Sequence, residues 1–464
     1  MKRMLALVLL VMILAASVAR AEVSAEAARE LYEKVTPSFV AVQYVWESEL
    51  GRRELVGAGV VVNKEGLVMT PLSLFHPQIP DKQMKEFKVI VPSQSKDAEE
   101  LDATFVGRDE RSEVGFVKVK ASRDWTPVKF EDAKVDVGDT VLSVGLLPKN
   151  AAYKTYQAQG VVSATLRGET PQVMVLTGLT GVGSVAYTPD GKAIGFVNVQ
   201  QDMSAWLNDP RDPMRSVNNP PKFFIPARDF AQSLSDPPVA GEMLKLPWLG
   251  VPQSAMAGLN KDVAESLALK DVAAVELGDI IPGSPAAKAG IKPGTIVVKL
   301  NGKDLERGDE PEELPMILMR TIRRMKVGSK VTLSVIEGSE KKPKDVTVTL
   351  EERPKGANLA DRFWAEDLGF GVRDVVFIDT YARKLPMDQK GVVVSMIKPS
   401  SSAATARLQR EDLITEVNGK NVDGLKDFEE MYKNLRKEKA REAMVLVVLR
   451  EGSTQTIRVE PPQE

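Results

Sequence analysis

The chain has 464 residues, 43% hydrophobic and 27% charged, which excludes a disordered or fibrous protein and predicts about three folded domains. With 62 basic against 64 acidic residues and a formal net charge of −2, it lacks the one-sided basic excess of a charge-driven nucleic-acid binder. It contains no cysteine, which excludes a disulfide framework, a thiol nucleophile, a thiolate metal site and an acylated-cysteine anchor.

Lys2 and Arg3 precede an apolar run from Leu5 to Ala16, and Ala19-Arg20-Ala21 has the A-x-A form of a cleavage site. Residues 1–21 therefore read as a signal peptide, too short to cross a bilayer comfortably, since that takes about 20 apolar residues. No second long apolar run follows, so an exported protein, periplasmic or secreted, is expected, with no membrane span once the leader is removed. A large cysteine-free exported chain suits a bacterial envelope. Residues 22–34 include AEAARELYEK, rich in strong helix formers and stopped by Thr36-Pro37, which predicts a short helix leading into sheet.

Short β-rich runs then follow between turn signals: LVGAGVVVN, GLVMT, FKVIV, LDATFVG, VGFVKVK, TVLSVG, YQAQGVVSA, QVMVL and AIGFVNV. Many short strands without long helices between them predict barrels or a sandwich over residues 35–234, rather than a doubly wound sheet. Inside this region Thr177 to Gly191, TGLTGVGSVAYTPDG, sets Gly181 and Gly183 around Val182 and ends in a Pro189-Asp190-Gly191 turn, a hairpin entry. Gln200 to Lys222 forms a Pro/Asn/Asp-rich loop, long for a compact domain, expected to be mobile or a partner surface.

Residues 235–245, opening on Ser235-Asp236-Pro237-Pro238, read as a linker. Beyond it the chain repeats itself: Pro282 to Lys303 aligns without a gap on Pro399 to Lys420. Two modules are predicted, over 246–354 and 355–464. Each has an L-G-Φ entry, an S-x-A-A helix, a strand ending in N-G-K, a longer amphipathic helix (Glu312 to Met325; Leu425 to Arg436) and a closing hairpin.

These stretches resemble the HtrA/Deg family of envelope proteases. GAGVVVNKEGLVMT (Gly57 to Thr70), VGDTVLSVG (Val137 to Gly145), GVVSATLR (Gly160 to Arg167) and FFIPARDF (Phe223 to Phe230) resemble family segments in order and spacing, and TGLTGVGSVAYTPDG resembles the nucleophile loop. The resemblance covers nearly the whole chain after the leader. It implies a mainly β protein, a trypsin-like double β-barrel followed by two α+β PDZ domains.

A serine triad needs a hydroxyl, an imidazole to take its proton and a carboxylate to orient the ring. By resemblance the histidine falls at Ser73, the aspartate at Glu113 and the serine at Val182, so the hydroxyl and the imidazole are lost and the carboxylate is lengthened. The glycine of the oxyanion hole falls at Thr180, where a β-branched residue resists positive φ, so the loop is expected to take another shape. Rescue by His76, the only histidine, or by Ser73 or Ser184 activated by a lysine, competes with simpler readings: a loop histidine and surface or turn-capping serines. Glu113 is most simply a solvated or capping carboxylate. No metal-ligand cluster or phosphate cradle is evident and no cofactor is implied.

What remains is binding. In PDZ domains the L-G-Φ loop offers backbone N–H groups to a peptide C-terminus, which adds as a strand beside the long helix. The corresponding residues are Trp248, Leu249, Gly250 and Val251 in the first module and Leu368, Gly369 and Phe370 in the second. Packing is the rival reading of both loops, and Glu366 and Asp367 in the second predict repulsion of a carboxylate. The expected function is a pseudoprotease adaptor, scaffold or holdase that binds C-termini or exposed segments of envelope proteins. Two alternatives stand beside it: an active endopeptidase of protein quality control with a displaced nucleophile or base, and a regulatory partner of an active HtrA-type protease. The resemblance also implies a homotrimer, for which Phe39, Tyr44 and Trp46 are interface candidates and equally core candidates.

Overall fold

The computed structural model describes residues 23–462 except 50, 78, 94–97, 167–170, 199–221, 240–244, 268, 270–271, 309 and 339–341. The leader and nearly all of the 200–222 loop lie outside the described residues. The chain divides into two compact units, one within Met1–Val45, Glu54–His76 and Lys85–Glu352, the other Trp46–Arg53, Pro77–Met84 and Arg353–Glu464.

Helix α1 (Ala25–Val35) begins where the Ser24 hydroxyl accepts the Ala27 amide at 3.1 Å, and it buries Leu31 and Val35. Thr36-Pro37 then turns the chain into β1 (Phe39–Ser48). With β2 (Gly51–Val61), β3 (Leu67–Pro71), β4 (Met84–Val91), β5 (Glu99–Asp109) and β6 (Val114–Val119) it closes a barrel in the order β1-β2-β3-β6-β5-β4. A second barrel, in the order β10-β11-β12-β9-β8-β7, is built from β7 (Thr140–Leu146), β8 (Thr155–Leu166), β9 (Gln172–Val175), β10 (Val185–Tyr187), β11 (Ala193–Asn198) and β12 (Lys222–Pro226). Closure leaves neither barrel an open edge.

One hydrophobic cluster joins the two barrels, with Val60, Met69 and Phe116 from the first, Leu142, Val185 and Phe196 from the second, and Leu31 and Phe230 from the flanking helices. Phe230 lies on α2 (Ala227–Ser235), which directly follows β12. The shared core therefore holds the two barrels against each other. Phe39 and Tyr44 are fully buried, which makes them core residues of the first barrel rather than a subunit interface.

The first module contains β13 (Pro247–Trp248), β14 (Met256–Gly258), α3 (Lys261–Ser266), β15 (Val275–Leu277), α4 (Pro285–Lys288), β16 (Thr295–Leu300), β17 (Lys303–Asp304), α5 (Leu314–Arg323), β18 (Lys330–Ile336), β19 (Lys344–Thr349) and β20 (Glu351–Glu352). The second contains β21 (Arg362–Ala365), β22 (Phe370–Asp374), α6 (Phe377–Ala382), β23 (Val392–Ile397), α7 (Ser402–Thr405), β24 (Leu413–Val417), β25 (Lys420–Asn421), α8 (Leu425–Glu438), β26 (Met444–Arg450) and β27 (Ser453–Val459). Helix α5 is shorter than its periodicity predicts. Pro315 lacks an amide hydrogen and sits in the first turn, and Pro311–Glu313 forms a separate 3-10 turn ahead of it.

The repeat holds at the level of single hydrogen bonds. Ala286 donates to the Leu249 carbonyl at 2.9 Å and Ile281 to that of Gly250 at 3.0 Å; Ala403 donates to Leu368 at 3.0 Å and Lys398 to Gly369 at 2.8 Å. In both copies the loop glycine has positive φ and lies against the serine that caps the short helix.

Candidate functional site

The loop from Thr177 to Gly191 closes as its residue types predict. Gly191 donates to Thr188 and Thr188 to Lys192, making the hairpin turn, and Gly183 adopts φ 87°. A Cβ on Gly183 would fall 2.6 Å from the Ala58 carbonyl oxygen, so only glycine lets this loop lie directly on β2 of the other barrel. The same Ala58 carbonyl accepts the Thr70 hydroxyl at 3.0 Å, which ties β3 to the contact.

Of the three positions that resemblance assigns to a triad, Ser73 and Glu113 lie on turns joined by a backbone hydrogen bond, and Val182 precedes the Gly183 that rests on β2. Val182, between Gly181 and Gly183, is 37% exposed. Ser73 is exposed in the turn after β3, between buried Leu72 and Leu74. The Leu72 amide donates to the Glu113 carbonyl at 2.9 Å, and the Asn198 side-chain amide donates to that same carbonyl at 2.7 Å and to a Glu113 carboxylate oxygen at 3.2 Å. Asn198 ends β11, so it links the second barrel to the Glu113 turn of the first. Glu113 itself stands at φ 54°, a left-handed conformation uncommon for its residue type.

The chemistry available follows from these contacts. Thr180 is fully buried, is not among the residues with positive φ, and donates its amide to the Ser143 hydroxyl at 3.2 Å. That amide is committed to a partner inside the second barrel. Ser184 is fully buried and its hydroxyl donates to the Gly181 carbonyl. Lys222 directs its ammonium to the Leu179 carbonyl at 2.9 Å. His76 is half-buried, and its carbonyl, with that of Phe75, accepts from the Arg108 guanidinium at 3.1 and 3.0 Å. Beneath this segment Tyr44, Phe75, Phe87 and Phe105 form a ring cluster with centroids 5.1 to 6.1 Å apart. The Tyr44 hydroxyl donates to Leu74 at 2.9 Å, and burial pushes its pKa up to about 12.

Several of these contributors escape a reading of sequence. Asn198 carries no motif. Asp109, buried, is held by Arg111 at 3.0 Å and by the Ser233 hydroxyl of α2 at 2.8 Å, which fixes the turn leading to Glu113. Among the described residues no cluster of His, Cys, Asp or Glu is placed to hold a metal.

In the first module Leu249 and Val251 are buried, and Trp248 pairs with Glu351. In the second, Leu368 and Phe370 are fully buried, and the Gly369 amide donates to the Ala365 carbonyl at 2.8 Å. The Asp367 carboxylate is turned onto α8, where it accepts the Tyr432 hydroxyl and lies 2.7 Å from Arg436 Nε. Its charge is thus paired instead of facing the loop.

Two closed barrels with a seam of this kind, followed by a module of the L-G-Φ type, define a trypsin-like domain joined to a PDZ domain. Residues 57–196 match the family described as trypsin-like peptidase domain, and residues 367–460 match the PDZ domain family. In this combination of domains the chain is similar to proteins of the HtrA/DegP family. It is similar to a probable periplasmic serine endoprotease DegP-like of Marinomonas sp. (strain MWYL1), 26% identical over 83% of this chain and 75% of that protein. It is equally similar, at 26%, to a protein of the same description from Bartonella henselae, over 90% of this chain and 77% of that one. Among solved structures, the HtrA-type protease AlgW with tripeptide shares the fold, with a TM-score of 0.53 and 17% identity over 71% of this chain and 98% of that one. No helix among the described residues is long and apolar enough to cross a membrane.

Proposed function

We propose that this chain is a periplasmic or secreted HtrA-type protein that binds peptide segments through its PDZ region and has lost proteolysis from its barrel domain. The observation that carries the reading is the partly exposed Val182 at the position that resemblance assigns to the nucleophile, where an acyl-transfer enzyme of this fold needs a hydroxyl. Its surroundings support the reading. The loop serine, Ser184, is buried and spent on Gly181, the Thr180 amide is spent on Ser143, and Ser73 offers no base at neutral pH. The partners are C-termini or exposed segments of envelope proteins, and a complex with an active HtrA-type protease is a second use of the same surface.

The relatives are described as endoproteases, which favours the opposite reading of a displaced catalytic group. Casein degradation by the purified chain decides between them. Silence under conditions where an active relative cleaves supports binding. Turnover that survives contaminant controls and disappears in His76→Ala overturns it and makes the chain an enzyme.

A further inference from the structure

The two copies of the repeat differ in where the chain runs just before the Leu-Gly loop. In the first, β13 pairs with β20, and the sheet runs β14-β15-β16-β18-β19 with β14 at its edge. In the second the sheet runs β21-β22-β23-β24-β26-β27, so β21 is an added strand on the edge of β22. It lies antiparallel, with Phe363 opposite Val372 and Ala365 opposite Phe370. The match to the PDZ family begins at Asp367, which leaves β21 outside the matched domain.

The edge of β22 beside α8 is where an extended ligand adds in strand-addition recognition. β21 meets the requirements of such a ligand. Its Ala365 carbonyl accepts the Gly369 amide at 2.8 Å, the bond a terminal carboxylate would take from the loop, and the Ala365 side chain is fully buried. Two residues earlier the Phe363 ring meets Tyr432 of α8 edge-on at 5.2 Å and Phe428 at 6.2 Å. Tyr432 and Arg436 hold Asp367 onto the same helix, so the loop's adjacent acid is paired when the strand is seated.

The first module is built less well for strand addition. Pro252 offers no amide, Gln253–Ala255 is a 3-10 turn, and β14 is only Met256–Gly258. A Cβ on Gly258 would fall 1.8 Å from the Pro311 carbonyl oxygen, so the turn ahead of α5 rests on that strand.

We propose that the groove between β22 and α8 is a peptide site whose resident ligand is the chain's own strand Arg362–Ala365, and that a partner enters by displacing it. The partner is a C-terminal segment with an aromatic residue two places before a small apolar one. The inference rests on the peptide-binding part of the proposed function and not on the loss of proteolysis. A tethered ligand competes at an effective concentration of about millimolar, and the apparent affinity for a partner falls by the fraction of time the strand is undocked.

The test uses the full chain and a fluorescein-labelled peptide of residues 358–365 with a free C-terminal carboxylate. Phe363→Ser removes the resident's aromatic anchor, and the variant is expected to bind the peptide about tenfold or more tightly than the native chain does. A folded variant that gains no affinity overturns the proposal. If the variant does not fold, hydrogen exchange on the native chain decides. Amides of 363–365 that exchange well before those of β26 and β27 show a strand that undocks on its own, and exchange only together with β26 and β27 overturns the proposal. Casein turnover by the native chain would sink the non-proteolytic reading and leave this one standing.

Discussion

The buried amide of Thr180 donates to the Ser143 hydroxyl across 3.2 Å, and the two side-chain hydroxyls lie 2.5 Å apart. This pair turns one side of the nucleophile loop into the second barrel. On the proposed non-proteolytic reading, it sets a condition on any attempt to build a working triad here.

Ser73→His, Glu113→Asp and Val182→Ser together supply the three triad side chains without freeing that amide. Adding Thr180→Gly should raise casein turnover of the triple variant by about 10²-fold, the usual worth of one oxyanion donor. Equal rates with and without Thr180→Gly would show that the Thr180 amide is not what limits the restored site. Val182→Ser alone should stay silent, since it gains a hydroxyl and no base.

Asn198→Leu should destabilise the barrel domain by about 1–3 kcal/mol, because it strips a donor from the Glu113 carbonyl and carboxylate and buries apolar bulk in its place. Urea unfolding followed by tryptophan fluorescence measures it. A change within a few tenths of a kcal/mol would mean that the Asn198 link between the barrels is dispensable.

Gly250→Ala and Gly369→Ala should each cost about 1–3 kcal/mol. The added Cβ would fall 2.1 Å from Ser284 Cβ in the first case and 2.4 Å from Ser401 Cβ in the second, at positive φ in both. Differential scanning calorimetry should show the loss at either position. An unchanged profile at one of them would mark that copy's loop as free to move away from its serine.

Arg373 and Asp379 form a buried bidentate pair at 2.6 and 2.9 Å, and the Val376 amide adds a third bond to Asp379. Burial alone would push the Asp379 carboxyl up, but the hydrogen bonds from Arg373 and Val376 and the charges of Arg373 and Arg383 overcome it, holding the group below the usual carboxylate range. A depressed folded-state pKa gives stability that is present above the unfolded value of about 3.9 and lost as the pH falls through the folded one. Asp379→Asn should flatten that acid dependence, and Asp379→Ala should cost about 3–5 kcal/mol by leaving the buried Arg373 with only the half-exposed Glu411, at 3.2 Å, as a charged partner. Urea titrations from neutral to acid pH test both, and an acid slope unchanged in Asp379→Asn would refute the assignment.

Much of the fold was legible because it is written in local terms. The alternation in LVGAGVVVN and VGFVKVK gives β2 and β6, Pro189-Asp190-Gly191 gives the hairpin turn, and the gapless alignment of PGSPAAKAG on PSSSAATAR gives α4 and α7. The candidate site was legible only as residue types at aligned positions. Asn198 behind Glu113, Ser143 behind Thr180 and Ser233 behind Asp109 come from residues far apart in the chain, so no motif contains them.

By itself the sequence determined the run of short strands in the barrel region, the repeat, and the absence of a hydroxyl at Val182, since each depends on residue identity or on spacing along one segment. Only the tertiary structure decided that Phe39 and Tyr44 are core, that Asp367 is paired with Arg436, and that Arg362–Ala365 lies on β22 while its counterpart in the first copy joins β20. Such outcomes turn on which distant edge or charge captures a group. That choice is set by packing, where Phe363 against Tyr432 and Phe428 outweighs what the short strand's own propensity could fix.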